Sequence, residues 1–504
     1  MVWAGVFSLL LLILCIGFCY YRFLHRTRQP NEPPLDRGSI PWLGYALEFG
    51  KDAAKFLSDM KEKHGDIFTI QVAGKFITVL LDPHSYDAVF WAPSNQLDFG
   101  KYARMLMDRM FDVRLPPSGG NEEKTLLALH FQGSNLTKLT RSMFHNLSTI
   151  LLKDRRLPNT EWTDQGLFDF IYGVMLRAGY LTLFGTESEQ YTSTYSPMRD
   201  LKHSEDVYKE FRKLDWLLMK AARNTLSTGE KEEASLVKNR LQKLISIKSH
   251  KGKCCKSSWF EYYQQHLEEI QATEDMQSRA LVLQLWATQG NAGPATFWLV
   301  LYLLKHPEAM AAVQAEFESI FQRNLQEKRH IEEMNQDLLD KMIILDNVLN
   351  ETLRLTAAPF ISREVLTDMT LKLADGHQYQ LRRGDRLCLF PFVSPQMDPE
   401  VHQQPEVFQH NRFLNADGTE KTEFYKKGKR LKYYNLPWGA GSNVCVGKKH
   451  AVNSIKQFVC LLLFYFDFEL KTPAEKIPEF NRTRYGFGLL QPEHDILFRY
   501  RRKA

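Results

Sequence analysis

One cysteine on a glycine-rich loop carries the strongest chemical signal in the chain. The run Pro437-Trp438-Gly439-Ala440-Gly441-Ser442-Asn443-Val444-Cys445-Val446-Gly447 passes directly into an apolar pattern of helical period, which puts Cys445 at a helix start. Gly439, Gly441 and Gly447 let backbone approach a flat ligand closely. The free N–H groups and dipole of a helix start favour the thiolate, the form that ligates iron. A lone buried cysteine is otherwise a small hydrophobe, so the loop is what distinguishes Cys445. A second pattern is Glu351-Thr352-Leu353-Arg354. Its acid and base fall at i and i+3 on one helix face and can pair, although any single E-x-x-R also fits a solvated surface pair. A third is Gly290-Asn291-Ala292-Gly293-Pro294, which predicts a kink or widened turn, a way to open a helix toward a bound cofactor.

These residues need a large framework to hold them. The chain has 504 residues, 44% of them apolar and 25% charged, which excludes collagen-like, low-complexity and wholly disordered classes. Lys plus Arg exceeds Asp plus Glu by 65 − 59 = 6, without an arginine-rich arm, so nucleic-acid binding is not indicated. The seven cysteines are Cys15, Cys19, Cys254, Cys255, Cys388, Cys445 and Cys460. They show no repeated C-x-x-C spacing for zinc and fit a reducing compartment.

Val2 to Tyr21 carries no charged side chain, and twenty residues at about 1.5 Å each cover about 30 Å of hydrocarbon. Arg22, His25, Arg26 and Arg28 follow, with no cleavage site, so residues 1–21 read as an uncleaved anchor rather than a secretory signal. Positive charge after a first helix keeps that side cytosolic, and the expected location is the endoplasmic reticulum membrane, crossed once. Residues 22–34, basic and containing Pro30, Pro33 and Pro34, read as a stiff hinge holding the body away from the bilayer.

Residues 35–504 read as one domain, mainly α with small β sheets, because neither a repeat nor a Gly/Ser linker divides them. Apolar spacing predicts helices over 52–64, 137–152, 204–222, 256–270, 307–323, 338–355 and 452–466. Hairpins are predicted for 67–72 with 75–81, around Ala73-Gly74, and for 371–373 with 379–381, around Asp375-Gly376. Ala280 to Leu304 is uncharged and long enough to span a bilayer, yet Gln284, Thr288, Gln289, Asn291 and Pro294 make it a buried central helix instead.

The cysteine loop resembles the haem-binding loop of the cytochrome P-450 superfamily, an aromatic-Gly-x-Gly-x-x-x-Cys-x-Gly motif. The resemblance implies that family's fold, a b-type haem, and Cys445 as its axial thiolate. It also implies that Arg412, in Asn411-Arg412-Phe413 after Pro405-Glu406-Val407-Phe408, completes a cluster with Glu351 and Arg354. Further stretches extend it over almost the whole chain: Gly38-Ser39-Ile40-Pro41-Trp42-Leu43-Gly44-Tyr45, Lys61-Glu62-Lys63-His64-Gly65-Asp66, Leu285-Trp286-Ala287-Thr288-Gln289-Gly290-Asn291 and Arg484-Tyr485-Gly486-Phe487-Gly488.

Two departures from the wider family bear on mechanism. Oxygen-activating members place an acid and an alcohol on the central helix to deliver protons, whereas Gly290 and Asn291 occupy that register here. Asn291 can hydrogen-bond but cannot shuttle a proton by ionising, which suits holding a peroxide oxygen; its alternative is an amide that satisfies the kinked backbone. Asn443 stands where many relatives carry a basic residue for a haem propionate, so the resemblance nominates Lys124 and Arg363 for that role, with Asn443 as a neutral donor. Trp286, Tyr102, Phe360 and Phe487 become candidate substrate walls by family position. The basic run Lys426, Lys427, Lys429, Arg430 and Lys432 is either a redox-partner face or a solvated loop.

The implied activity is isomerisation of prostaglandin H2 to prostacyclin without NADPH, dioxygen or an obligatory reductase. Alternatives are a sterol or fatty-acid monooxygenase of a neighbouring subfamily and a non-catalytic haem-thiolate sensor or lipid carrier.

Overall fold

The computed structural model describes residues 2–19, 26–116, 126–153, 161–187, 197–246, 253–327 and 330–503. It is mainly helical with small sheets. The elements that matter for the site are α1 (Val2–Cys19), α2 (Leu167–Phe184), α3 (Pro197–Ala222), α4 (Glu274–Gln289), α5 (Ala292–Lys305), α6 (Ile343–Thr356) and α7 (Lys448–Tyr465). Six strands, β1 (Leu35–Asp36), β2 (Ile67–Val72), β3 (Lys75–Leu80), β4 (Leu97–Asp98), β5 (Ile361–Val365) and β6 (Arg386–Leu389), form one sheet in the order β1-β2-β3-β6-β5-β4.

The β2–β3 hairpin forms where predicted. Ala73 and Gly74 both take positive φ, 47° and 76°, as a turn matched to strand twist requires. Gly74 also has a packing reason, since a Cβ there would lie 2.3 Å from Trp42 Nε1. The second predicted hairpin is present as Met369–Lys372 paired with Gln378–Leu381.

The predicted helices are found with shifted ends. The stretch predicted as 338–355 divides into Gln336–Leu339 and α6, because Glu316 accepts the amides of Ile344 (2.7 Å) and Leu345 (3.0 Å) and so caps α6 afresh. The uncharged stretch 280–304 is buried in the main core and broken at Gly290-Asn291 into α4 and α5, as the sequence predicted. Thr273 caps α4 by accepting the Met276 amide, with Glu274 and Asp275 in its first turn. The helix that amphipathic spacing does not reveal is α2, which is apolar and buried apart from Asp169 and Arg177. It is long enough to cross a membrane, yet its sides are packed inside the protein.

In α1 the reverse holds: Phe7, Leu10, Leu11, Leu12, Ile13, Leu14 and Phe18 are all exposed. Residues 26–36 are fastened to the body. Arg26 pairs with Asp385 at 2.5 Å, Glu32 pairs with Arg382, the Asn31 carbonyl accepts the Gln380 amide at 2.7 Å, and β1 pairs with β2. The prolines set the path while buried ion pairs pin it.

The basic run agrees with the solvated-loop alternative at Lys427, Lys429, Arg430 and Lys432, which are exposed, and departs from it at Lys426. Lys426 is buried on Asp398 at 2.7 Å, while Lys427 pairs with Asp66, Lys432 with Asp87 and Arg430 with Glu423. The run is drawn into intramolecular pairs around the short hairpin Tyr425–Lys426/Lys429–Arg430.

Candidate functional site

The cysteine loop, the α4–α5 break and the turn at 486–490 converge on one cavity of about 570 Å³. Cys445 is on its wall. The Cys445 amide donates to the Trp438 carbonyl at 2.9 Å, closing the loop on itself. Gly439 and Gly441 take φ of 69° and 62°, and a Cβ on Gly441 would lie 3.0 Å from the Phe90 side chain, so glycine is required there for both conformation and space. The loop ends at Gly447, which caps α7.

The thiol's accessible surface opens onto the cavity, while the surrounding protein still desolvates it. Burial raises its pKa; the Gly447 and Lys448 amides and the Lys448 charge oppose this without overcoming it. The sequence argument expected the helix start alone to favour the thiolate, and the protein by itself falls short. A bound metal cation supplies the missing charge. Cys388 in β6 and Cys460 in α7 are buried in apolar surroundings, which push the Cys388 thiol up to about 12 and raise Cys460 too.

Glu351, Arg354 and Arg412 meet as one buried cluster. Glu351 receives Arg354 Nε at 2.7 Å and Nη2 at 2.9 Å, and Arg412 Nε at 2.9 Å and 3.0 Å. The remaining guanidinium donors reach the Gln396, Gln403 and Val407 carbonyls at 2.7 to 2.8 Å. This ties α6 to the irregular segment that leads to the cysteine loop, and His402 extends the tie by a 2.9 Å bond to the Tyr434 carbonyl.

Arg363 lines the cavity, stacks over Phe99 at 5.5 Å, and donates to the Ser362 carbonyl at 2.9 Å. It is buried, with no ion-pair partner among the described residues. A buried guanidinium without a carboxylate is costly unless an anion completes it. Burial lowers its pKa, and the nearby Asp98 carboxylate and Cys388 thiol oppose this without overcoming it. Lys124 lies outside the described residues. Asn443 and Gly439 are on the cavity wall. A cysteine thiol, a glycine-built cradle and a buried cation with no close ion pair among the described residues together fit a flat metal-bearing group with acidic side arms.

Asn291 lies at the α4–α5 break and lines the cavity. Its Oδ1 accepts the Leu489 amide at 3.0 Å, and since a backbone N–H can only donate, this assigns the oxygen inward and leaves Nδ2 as a donor for the cavity. The bond comes from a remote turn, not from the kinked helix's own backbone. Phe360 is a wall residue, stacked on Phe49 at 5.4 Å.

Trp286, Tyr102 and Phe487 are not on the wall. Trp286 packs on Phe111 at 5.5 Å, Tyr102 lies under the Arg386 guanidinium at 4.2 Å, and Phe487 packs against the main core. In their place stand Gln284, Thr288, Gly488, Leu489 and His450. Gln284, Thr288 and Asn291 share the i, i+4, i+7 face of the central stretch, a signal the sequence did contain. His450 had no such signal; burial holds its pKa down to about 4, so it is neutral.

The cytochrome P-450 family model matches residues 33–498. Prostacyclin synthase of Bos taurus is 56% identical over 501 residues, covering 99% of each chain. Prostacyclin synthase of Homo sapiens is 57% identical over 475 residues, 94% of this chain and 95% of the relative. The 7-alpha-hydroxycholest-4-en-3-one 12-alpha-hydroxylase of Oryctolagus cuniculus is 38% identical over 505 residues, 100% of this chain and 99% of the relative.

Proposed function

The chain belongs to the cytochrome P-450 family, and from that premise we propose that it isomerises prostaglandin H2 to prostacyclin on a haem-thiolate centre, consuming neither NADPH nor dioxygen. Near-full-length identity of 56–57% to prostacyclin synthases supports the reaction. The observation that carries the mechanism is the Asn291 amide, locked by Leu489 with its N–H2 left for the cavity.

Cys445 would hold the haem iron, with Arg363, Lys124 and Asn443 for its propionates and Gly439 giving it room. When bound, the haem would supply one-electron chemistry suited to an endoperoxide O–O bond. Asn291 Nδ2 donates to a peroxide oxygen and orients it, which needs no ionisable acid at this register. Phe360 supplies apolar wall against the substrate's hydrocarbon chain. Because substrate and product are isomers, both oxygens and all electrons are already present, and no reductase is obligatory.

Purified protein given prostaglandin H2 under nitrogen, without NADPH, forms prostacyclin on this reading. Asn291→Leu lowers turnover about a hundredfold, the roughly 3 kcal/mol typical of one lost hydrogen bond to a reacting oxygen, while haem content and spectrum stay unchanged. A strict need for NADPH and dioxygen transfers the chain to the monooxygenases, the reading its 38% identity to a 12-alpha-hydroxylase favours. Ligand binding without turnover makes it a carrier or sensor.

We place the enzyme in the endoplasmic reticulum membrane, crossed once by α1, with the catalytic body in the cytosol. The exposed apolar surface of α1 and the arginines after it support this. In sealed microsomes, added protease therefore digests the body of the full-length protein. Protection of the body reverses the orientation.

A further inference from the structure

Asp215, on α3, is fully buried at 0% exposure, and three side chains converge on its carboxylate. Arg484 Nη2 donates at 2.8 Å, Gln491 Nε2 at 2.9 Å and Arg212 Nη1 at 3.0 Å. Burial raises the carboxyl's pKa, but the two guanidiniums outweigh it and hold it below the ordinary value. The group is therefore an anion in a closed, charged cluster that resists rearrangement.

Two branches leave this cluster and end on either side of the α4–α5 break. On one branch, Arg484 and Gln491 bracket the turn that carries Gly488 and Leu489, and the Leu489 amide holds Asn291 Oδ1. On the other, Arg212 stacks over the rings of Tyr172 (4.9 Å) and Phe168 (5.1 Å), and the Tyr172 hydroxyl donates to the Gly290 carbonyl at 3.4 Å. Both branches end in contacts without slack. A Cβ on Gly488 would lie 2.4 Å from Asn291 Oδ1, and one on Gly293 would lie 2.2 Å from Tyr172 Cδ2. A small movement of the turn or of the Tyr172 ring is thus transmitted to the amide.

We infer that Asp215 is a positioning residue: through Arg484, Gln491 and Leu489 on one side and Arg212 and Tyr172 on the other, it sets the orientation of the Asn291 amide over the cavity. The inference rests on the role given to Asn291 above. Backbone bonds also hold the turn, from Gly486 N–H to the Ala358 carbonyl (2.8 Å), from Ala358 N–H to the Gly488 carbonyl (2.9 Å) and from Leu490 N–H to the Thr356 carbonyl (2.9 Å). They fix its attachment to the chain after α6 but none ends on Asn291.

The test is a double-mutant cycle in haem-loaded, full-length protein with prostaglandin H2. Asp215→Asn keeps the side-chain shape and removes the charge. Its kcat falls about tenfold, the middle of the range for coupled neighbours, while KM and the reduced carbon monoxide spectrum stay at wild-type values. In the Asn291→Leu background the same substitution leaves kcat unchanged, because the amide it positions is gone. A purely structural Asp215 predicts equal fractional losses in both backgrounds, and that result overturns the inference. Full turnover by Asn291→Leu alone overturns instead the role given to Asn291. If Asp215→Asn does not accumulate as folded protein, Arg212→Leu cuts the second branch and removes one donor from Asp215 and Gln491 while leaving the Arg484 pair in place. The same cycle then reads a loss of about threefold that vanishes without Asn291, and a loss that persists overturns the inference.

Discussion

Cys445→Ala abolishes both the red-shifted Soret band of the reduced carbon monoxide complex and the formation of prostacyclin. The band reports thiolate ligation, and Cys445 is the cavity's one cysteine among the described residues. The fall in turnover exceeds roughly a thousandfold, because removing even one donor that stabilises reacting charge costs about 10² to 10³, and the axial ligand governs the whole redox step. Haem content falls as well, since the remaining contacts are the glycine cradle, a few side-chain donors and the Arg363 charge. Cys388→Ala and Cys460→Ala are the controls. Both thiols are buried in strand and helix and neither is on the cavity wall, so neither can reach a group bound there. A retained red-shifted band in Cys445→Ala removes the cysteine loop from the site.

Glu351→Ala has the second-largest effect, on the fold rather than on a chemical step. Glu351 and Arg354 are fully buried and Arg412 nearly so. Removing the carboxylate leaves two guanidiniums in the interior without a counter-charge, which costs about 3–5 kcal/mol, a large part of the 5–15 kcal/mol that keeps a native domain folded. Glu351→Gln keeps the volume and loses the charge, so it falls in the same direction. The measurement is the yield of haem-loaded protein together with the denaturant midpoint at constant slope. A midpoint within about 1 kcal/mol of wild type, with normal haem content, shows that the cluster does not anchor the cysteine loop.

Much of the site was legible because its chemistry is local. Cys445 is set by a loop whose glycines, cysteine and helix start are contiguous, and Glu351 with Arg354 by helical spacing. The break at Gly290-Asn291 was legible for the same reason, through residues that interrupt a helix by their own backbone properties. The prolines and arginines of 26–34, by contrast, suggested a stiff spacer but not what it docks on, because its partners, Asp385 and Arg382, lie more than three hundred residues along the chain.

The aromatic walls show the same limit. Trp286 and Asn291 are five residues apart, about 1.4 helical turns, and face different ways, so only packing decides that Asn291 meets the cavity while Trp286 meets Phe111. α2 escaped notice because a helix buried on nearly all sides has no polar face to mark its period.

By itself the sequence determined the uncharged apolar segment at the amino terminus, the thiol loop and the acid–base pair, all set by side-chain type and short-range spacing. Tertiary structure alone decided which way the Asn291 amide points, that Arg363 is a buried cation with no ion pair among the described residues, and that Asp215 ties α3 to the turn at 486–490. Each of these depends on partners brought together by burial of a common core, where a polar group must find its complement wherever the chain supplies one.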